Sequence, residues 1–384
     1  MKLFKSLLVA PATLGLLAPF SANATEVNFN AISNYSDEEI EIDINSFKPK
    51  SNQNLLLSGG EGLVESQSHD GGFSETTTMK GKVEMQIGAG SSNTAAGAHN
   101  GEQATTFAYH YEVDLNTSFT GDDKLNVEFA AGNAAGTNTV QGITGFGESQ
   151  DALTIEDVNY TFPLGRWDVS VGDSMDLSKN FPNACALETI IDAMDDCGAK
   201  NAVDAGGDVS VSLGTEFADG WEFGFGFSGD SGTSGIGTKE STDGLGAAIG
   251  YSNDTYGVTF GYALADGGAT ANSDTTYYGA TAYYTPEGMG TLSGGVELGT
   301  KQGSNKDTSQ FKIGYATDLG EGTLEVGFGT NGAIDDGSNE VYGYEASYSF
   351  PINDGVSMTA FGYIAEVDGS DDSSGLGLTT TLKF

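Results

Sequence analysis

"GWEFGFGF", residues 220–227, places Trp221, Phe223, Phe225 and Phe227 at every second position, with Glu222, Gly224 and Gly226 between them. Successive side chains of a β-strand point to opposite faces. This strand would therefore carry bulky aromatics on one face and almost nothing on the other. A soluble sandwich usually turns Thr, Lys and Ser to solvent. A membrane barrel turns its aromatic face to lipid and the other face to a water-filled lumen. One strand is compatible with both, and the rest of the chain decides between them.

From Met79 to Phe384, segments of about ten alternating residues recur, the length expected of barrel strands. Strands are predicted at 79–88, 104–118, 124–133, 152–162, 165–173, 208–217, 220–229, 243–252, 255–265, 275–285, 291–300, 308–318, 322–331, 339–350, 355–366 and 374–384, sixteen in all. The connections alternate in length. "AGSSNTAAGAHNGEQ" precedes the short "TGDD", "AAGTNTVQGITGFGESQD" precedes "PLG", and the very long 174–207 precedes "ADG". Tight turns at one end and longer loops at the other are a barrel signature. Asp-Gly, Asn-Asp and Pro in the short connections suit tight turns. The even strand number puts both barrel ends on one side, expected to be the periplasm.

Alternation separates the two faces. Val83, Met85 and Ile87 oppose Lys82, Glu84 and Gln86; Leu125, Val127 and Phe129 oppose Lys124, Asn126 and Glu128; Trp167, Val169 and Val171 oppose Arg166, Asp168 and Ser170. The last strand turns Leu376, Leu378, Leu382 and Phe384 outward and Lys383 inward. The second face is Gly, Ser, Thr, Asp and Glu throughout, which suits a wet lumen. The lipid-facing aromatics are then Trp167, Trp221, Phe223, Phe225, Phe227 and Phe384. The fold class is all-β, a transmembrane antiparallel barrel over residues 79–384.

Composition agrees. Gly is 57 of 384 residues and Pro only 7, with no G-X-Y period. The formal charge is −39, from 54 acidic and 15 basic residues. Such a chain repels nucleic acid, whose binding proteins neutralise phosphates with Lys and Arg. Its 10% aromatic and 38% hydrophobic content argues against disorder. "MKLFKSLLVAPATLGLLAPFSANA" has Lys2 and Lys5, an apolar stretch, and Ala22-Asn23-Ala24. It reads as a signal peptide cleaved after Ala24. No run approaches the ~18 apolar residues of a membrane helix. Residues 25–78 are acidic and turn-rich, and read as a weakly structured periplasmic segment with one small element around 54–64.

A signal peptide, about sixteen strands and the aromatic Phe384 in "TTTLKF" resemble the general porins of outer membranes. The finer resemblance is to porins of marine cyanobacteria, through "SETTTMKGKVEMQIGAG" opening the barrel after an acidic segment. Many of those carry a peptidoglycan-binding surface-layer-homology module, whose Trp-Ala-type core residues 25–78 lack. The resemblance covers 79–384. It implies an outer-membrane location, contact with the lipid bilayer, a homotrimer and passive diffusion of ions and small hydrophilic solutes. It also implies that the long loop after strand 5 folds inward and narrows the lumen.

That loop contains "NACALETIIDAMDDCGAK". Leu187, Ile190, Ile191 and Met194 at 3–4 spacing predict a short helix over 186–194. Its other face carries Glu188, Asp192, Asp195 and Asp196, the candidate constriction acids. Cys185 and Cys197 are the only cysteines and bracket it. In an oxidising compartment they are expected to form a disulfide, pinning the loop by about 3 kcal/mol in chain-entropy terms. General porins set loop acids against a wall of bases. The inward-facing candidates for that wall are Lys80, Lys82, Lys124, Arg166, Lys312 and Lys383. Charged rings set ion preference, and the excess of acids predicts mild cation selectivity.

An enzymatic barrel would need a Ser/His or Asp/His set. The histidines are His69, ahead of the barrel, His99, in a loop, and His110, between Tyr109 and Tyr111 with no evident partner acid. No enzyme is expected. "DDGS" and "DGSDDS" lack a calcium-repeat or EF-hand pattern, so no metal or cofactor is expected. A substrate-selective channel, for carbohydrate for example, and a structural or adhesive barrel are the alternatives.

Overall fold

In a computed structural model of the chain, the described residues are 76–91, 104–134, 140–147, 149, 151–232, 235–268, 273–304 and 306–384. The expected signal peptide, all but the last three residues of the N-terminal segment, His69 and His99 lie outside them.

Sixteen strands form the wall: β1 Thr77–Ser91, β2 Ala104–Thr117, β3 Lys124–Gly132, β4 Thr154–Leu164, β5 Trp167–Asp173, β6 Val209–Ala218, β7 Trp221–Gly229, β8 Asp243–Ser252, β9 Tyr256–Ala265, β10 Thr275–Tyr284, β11 Thr291–Lys301, β12 Asp307–Leu319, β13 Gly322–Thr330, β14 Tyr342–Asn353, β15 Val356–Ala365 and β16 Ser373–Lys383. Each pairs antiparallel with its chain neighbours, and β1 pairs with β16 from Lys82↔Lys383 to Ser91↔Ser374. The sheet is closed. A two-residue piece, Ile334–Asp335, adds to β12 from the loop after β13. Among the described residues no helix is long and apolar enough to cross a membrane. The strands pair with their neighbours through backbone groups, the arrangement by which a closed sheet can span a membrane without helices.

The seam has a reinforced end. Phe384 and Gly81 exchange two backbone hydrogen bonds of 2.9 Å. The Phe384 ring stacks on Tyr111 of β2, with centroids 6.4 Å apart. Outward residues form two aromatic zones around an aliphatic band. Near the short turns, Phe217, Trp221, Tyr251 and Tyr256 make a continuous chain of ring contacts. Near the long loops lie Phe311, Phe328, Tyr342 and Tyr344, and the Tyr262–Tyr278 pair. Between them sit Val211, Ile249, Val296, Ile313 and Val326, all exposed. Flanking girdles around an apolar band are what a bilayer's two interfaces select.

The inner face corrects one expectation. Gly224 and Gly226 of "GWEFGFGF" do point inward, but they do not meet water. A Cβ on Gly224 would lie 2.6 Å from a ring carbon of Phe181. One on Gly226 would run into the Leu177 carbonyl. Leu177 and Phe181 belong to the loop between β5 and β6, and pack with Ala205, Ala263 and Tyr277 in a small apolar cluster inside the barrel. The empty face of β7 is the bed for a segment of backbone.

Replacing Gly226 with Val is therefore expected to cost about 1–3 kcal/mol through overpacking, read as a lower urea midpoint of the detergent-folded barrel. Phe225→Leu, one position away on the outward face, is expected to lie within about 0.5 kcal/mol of wild type. Equal midpoints for the two variants would refute the bed.

Candidate functional site

The loop over 174–208 runs along the inner wall rather than across it. Its outward leg is held by small polar side chains of β6, β10 and β11. Asn180 N donates to Ser212 Oγ at 3.0 Å, Ala184 N to Thr281 Oγ1 at 3.0 Å, and Ala186 N to Ser293 Oγ at 3.0 Å. Glu188 N donates to Glu325 Oε1 at 3.3 Å, and Ile190 N and Ile191 N to Glu345 Oε2 at 3.0 and 2.8 Å. The return leg is held by Glu297, which accepts from Asn201 Nδ2 at 2.7 Å and Ala202 N at 2.8 Å. The loop thus lines the wall from β5 to β14.

This arrangement explains why no helix forms over 186–194. A helix over that range would commit the amides of Ile190 and Ile191 to intrachain carbonyls. The Glu345 carboxylate takes both instead, and a charged acceptor makes the stronger bond. Only single turns appear, at Asp192–Met194, Asp195–Gly198 and Lys200–Val203. The 3–4 spacing of Leu187, Ile191 and Met194 serves the wall: Leu187 lies over Gly314, and Ile191 and Met194 over Gly343.

Cys185 and Cys197 are disulfide-bonded, with Cα atoms 5.6 Å apart, an ordinary bridge geometry. They close the neck of the hairpin. Asp196, Cys197 and Gly198 all have positive φ, at 50°, 55° and 74°, which only the glycine adopts freely. Gly198 is also required by space, since a Cβ there would sit 2.7 Å from the Phe311 carbonyl carbon.

Lys312 departs most from expectation. It is 1% exposed and lies beneath the loop, so it is not a pore-facing base. Its Nζ is 2.7 Å from Glu345 Oε1 and donates to Thr189 Oγ1 at 2.8 Å and Glu188 O at 3.2 Å. All three ammonium donors are used. The other wall candidates are differently placed. Arg166 sits in the two-residue turn between β4 and β5 and donates to the Glu216 carbonyl at 3.4 Å. Lys124 is exposed where β3 leaves a short turn. Lys82, Lys80 and Lys383 gather at the seam, with Lys82 opposite Lys383.

A second inward loop was not foreseen from the sequence. Val140 and Ile143, in a single helical turn after β3, pack with Ile190, Ile191 and Met194 from the first loop and with Phe361, Tyr363 and Ala365 of β15. Val140 also covers Gly88 and Gly90 of β1. The signal was present as "VQGITGF", three large apolar residues inside a loop otherwise built mostly of small and polar ones.

The second loop covers the long-loop end of β1, through Val140 over Gly88 and Gly90, and charge is sorted on the short-turn half of the arc from β16 to β4. One row across the strands reads Lys383, Lys82, Glu112. The next reads Lys80, Asp114, Glu128, Asp157. Lys82 pairs with Glu112 at 3.0 Å, and Lys179 of the loop approaches Asp157 at 3.4 Å. Three acids on adjacent strands repel one another, a cost tolerable where water screens them. His110 does have an acid opposite it: Glu84 Oε2 lies 3.8 Å from Nδ1, correcting the expectation of none. The loop presents Glu188 and Asp192, both exposed, and the half-buried Asp195 and Asp196. Asp192 is 3.5 Å from Lys200. Burial, then the neighbouring Asp204 and Asp195, push the Asp196 carboxyl up to about 7, although Asn183 Nδ2 donates to it at 2.8 Å. Burial and Asp204 also raise Asp176.

Solved structures share this architecture. The fold is that of the outer-membrane porins. OprB of Pseudomonas putida is 10% identical with a TM-score of 0.59, covering 80% of this chain and 94% of its own. An anion-selective porin from Comamonas acidovorans is 13% identical with a TM-score of 0.57, covering 80% and 99%. A loop-deletion mutant of OmpT, an outer membrane protein of Vibrio cholerae, gives 11%, 0.56, 80% and 99%. No protein-family model matches the sequence, and no curated protein matches it. The likeness to these porins is one of fold.

The raised Asp196 has a consequence in solution. With its carboxyl raised to about 7, Asp196 is expected to add a negative charge to the loop as pH rises through neutrality. Cation preference in a bilayer is expected to rise as pH increases from 6 to 8. Asp196→Asn is expected to flatten that rise, and an unchanged profile in the variant would assign the titration elsewhere.

Proposed function

We propose that the chain forms a water-filled channel in an outer membrane and passes ions and small hydrophilic solutes by diffusion, with a mild preference for cations. The observation that carries this reading is the course of the long loop. It lies flat on the wall, tied by side chains of β5 to β14, and leaves the arc from β16 to β4 lined with charged groups. A structural wall protein has no use for a row of Asp114, Glu128 and Asp157 facing inward. On that arc and along the loop edge acids outnumber bases, which supports the cation preference. Glu188, Asp192, Asp195 and Asp196 are the constriction acids of this reading. The bases facing them are Lys80, Lys82 and Lys383, at the β1–β16 seam.

The same reading includes secretion through a signal peptide at 1–24, a periplasmic segment at 25–78, a homotrimer, and no enzymatic activity. Kinship with porins of marine cyanobacteria belongs to it as well, on the stretch that opens β1. A substrate-selective channel is the second reading. It is favoured by a cavity of ≈ 240 Å³ beside the loop, lined by Asp157, Asp176, Lys179, Asn183 and Asp204 with Phe181, polar groups and one aromatic that would grip a polar organic solute.

The test is conductance of purified protein in planar bilayers, with reversal potential under a salt gradient. Large open steps with three equal closures and a cation-signed reversal potential are expected. Glu128→Gln combined with Asp114→Asn is expected to bring the reversal potential toward zero. No conductance from protein shown to be a folded barrel would overturn the channel.

A further inference from the structure

Lys312 is buried among groups that belong to three strands and the loop. Its ammonium links Glu345 of β14 to Glu188 and Thr189 of the loop, while the free oxygen of Glu345 takes the amides of Ile190 and Ile191. Glu325 of β13 takes the amide of Glu188. The clasp therefore grips residues 188–191, the stretch bearing Glu188, at a point beyond the disulfide neck. The neck holds Cys185 to Cys197; it does not hold the tip to the wall. Beyond the clasp, the tip rests on the apolar contacts of Ile191 and Met194 with Val140, β15 and Gly343 of β14, and on the exposed Asp192–Lys200 pair.

We propose that Lys312 is the positioning residue that sets the aperture, by keeping the tip of the loop against β12 to β14 rather than by contributing charge to the pore. Without the ammonium, Glu345 is a buried carboxylate with no counter-ion, which is strongly unfavourable. The way to relieve it is to let water in, and water enters where the tip lies. The base of the loop stays fixed by the disulfide and by Glu297. A pore-wall base and a buried clasp therefore differ in what their removal changes. Loss of a wall base shifts ion preference at constant aperture. Loss of the clasp frees the tip.

The aperture part of this inference rests on the channel reading; its structural part does not, so the test carries two readouts. The first is hydrogen exchange of the peptide spanning 186–194, followed by mass spectrometry in the detergent-folded protein. Exchange there is expected to be at least ~10-fold faster in Lys312→Met than in wild type, with the wall strands unchanged. The second is single-channel recording, where the variant is expected to show larger and noisier open steps. Combining Lys312→Met with Glu345→Gln removes both charges and keeps an oxygen acceptor for the loop amides; it is expected to return exchange and noise toward wild type. Thr189→Val, which removes only one acceptor of Nζ, serves should Lys312→Met fail to fold, and is expected to speed exchange by a smaller factor. Unchanged exchange in Lys312→Met, or in Thr189→Val should Lys312→Met fail to fold, or a shift in reversal potential alone, would overturn the proposal. A wild-type barrel that does not conduct would remove the channel reading, and the exchange data would still decide the clasp.

Discussion

Everything in this structure depends on the pairing of β1 with β16. In hydrocarbon an unpaired backbone amide or carbonyl costs several kcal/mol, and an open sheet would expose two full edges of them. Closure removes both edges at once. It also fixes which residues can face one another inside, because the register of the seam aligns Lys82 with Lys383 and passes that alignment to Glu112 on β2. The charge pattern of the arc from β16 to β4 is a consequence of where the sheet closes.

Closure leaves an interior to be furnished, and the wall does so with two kinds of residue. Glycines at 224, 226, 314 and 343 let the loop come within contact distance of the strands. Ser212, Thr281, Ser293, Glu297, Glu325 and Glu345 then accept the loop's amide hydrogens. A loop without secondary structure must still satisfy its backbone, and here the wall completes it. The buried Lys312 follows from the same demand. A carboxylate that receives two amides deep in the wall also needs a counter-charge, and Lys312 is the one placed to supply it.

The barrel was legible in the sequence because period-two alternation is a property of single strands and needs no partner to be read. Val83, Met85 and Ile87 declare a face by themselves, and the alternation of long and short connections orders the strands without any knowledge of register. The pairing of Cys185 with Cys197 was legible for the same reason, being local and unambiguous with two cysteines. The interior was not. Leu187, Ile190, Ile191 and Met194 carry a helical spacing, yet the amides of Glu188, Ile190 and Ile191 find Glu325 and Glu345 across 137 to 155 positions of chain. Lys312 looks like any inward base until the loop is laid over it. Gly224 and Gly226 look like emptiness facing water, and only the position of Leu177 and Phe181 shows that the space is taken. The acid beside His110 was hidden because Glu84 becomes its neighbour through strand pairing alone. Nothing in the sequence between 84 and 110 signals that register.

The loop's position inside the wall has a bearing on how the molecule is made. A segment that touches strands from β5 to β14 gains its full set of wall partners only as those strands come together. The seam joins residues far apart in sequence: Gln86 and Thr379 are 293 positions apart, so its loop-closure entropy is among the largest in the chain. Local hairpins can form first, and pairing this remote comes late in topology-limited folding. The order of events then follows. The loop settles on an open, curling sheet, the glycine bed and the carboxylates collect it as each hairpin arrives, and the seam shuts behind it. The inner wall works as a mould during assembly before it lines anything in the finished molecule.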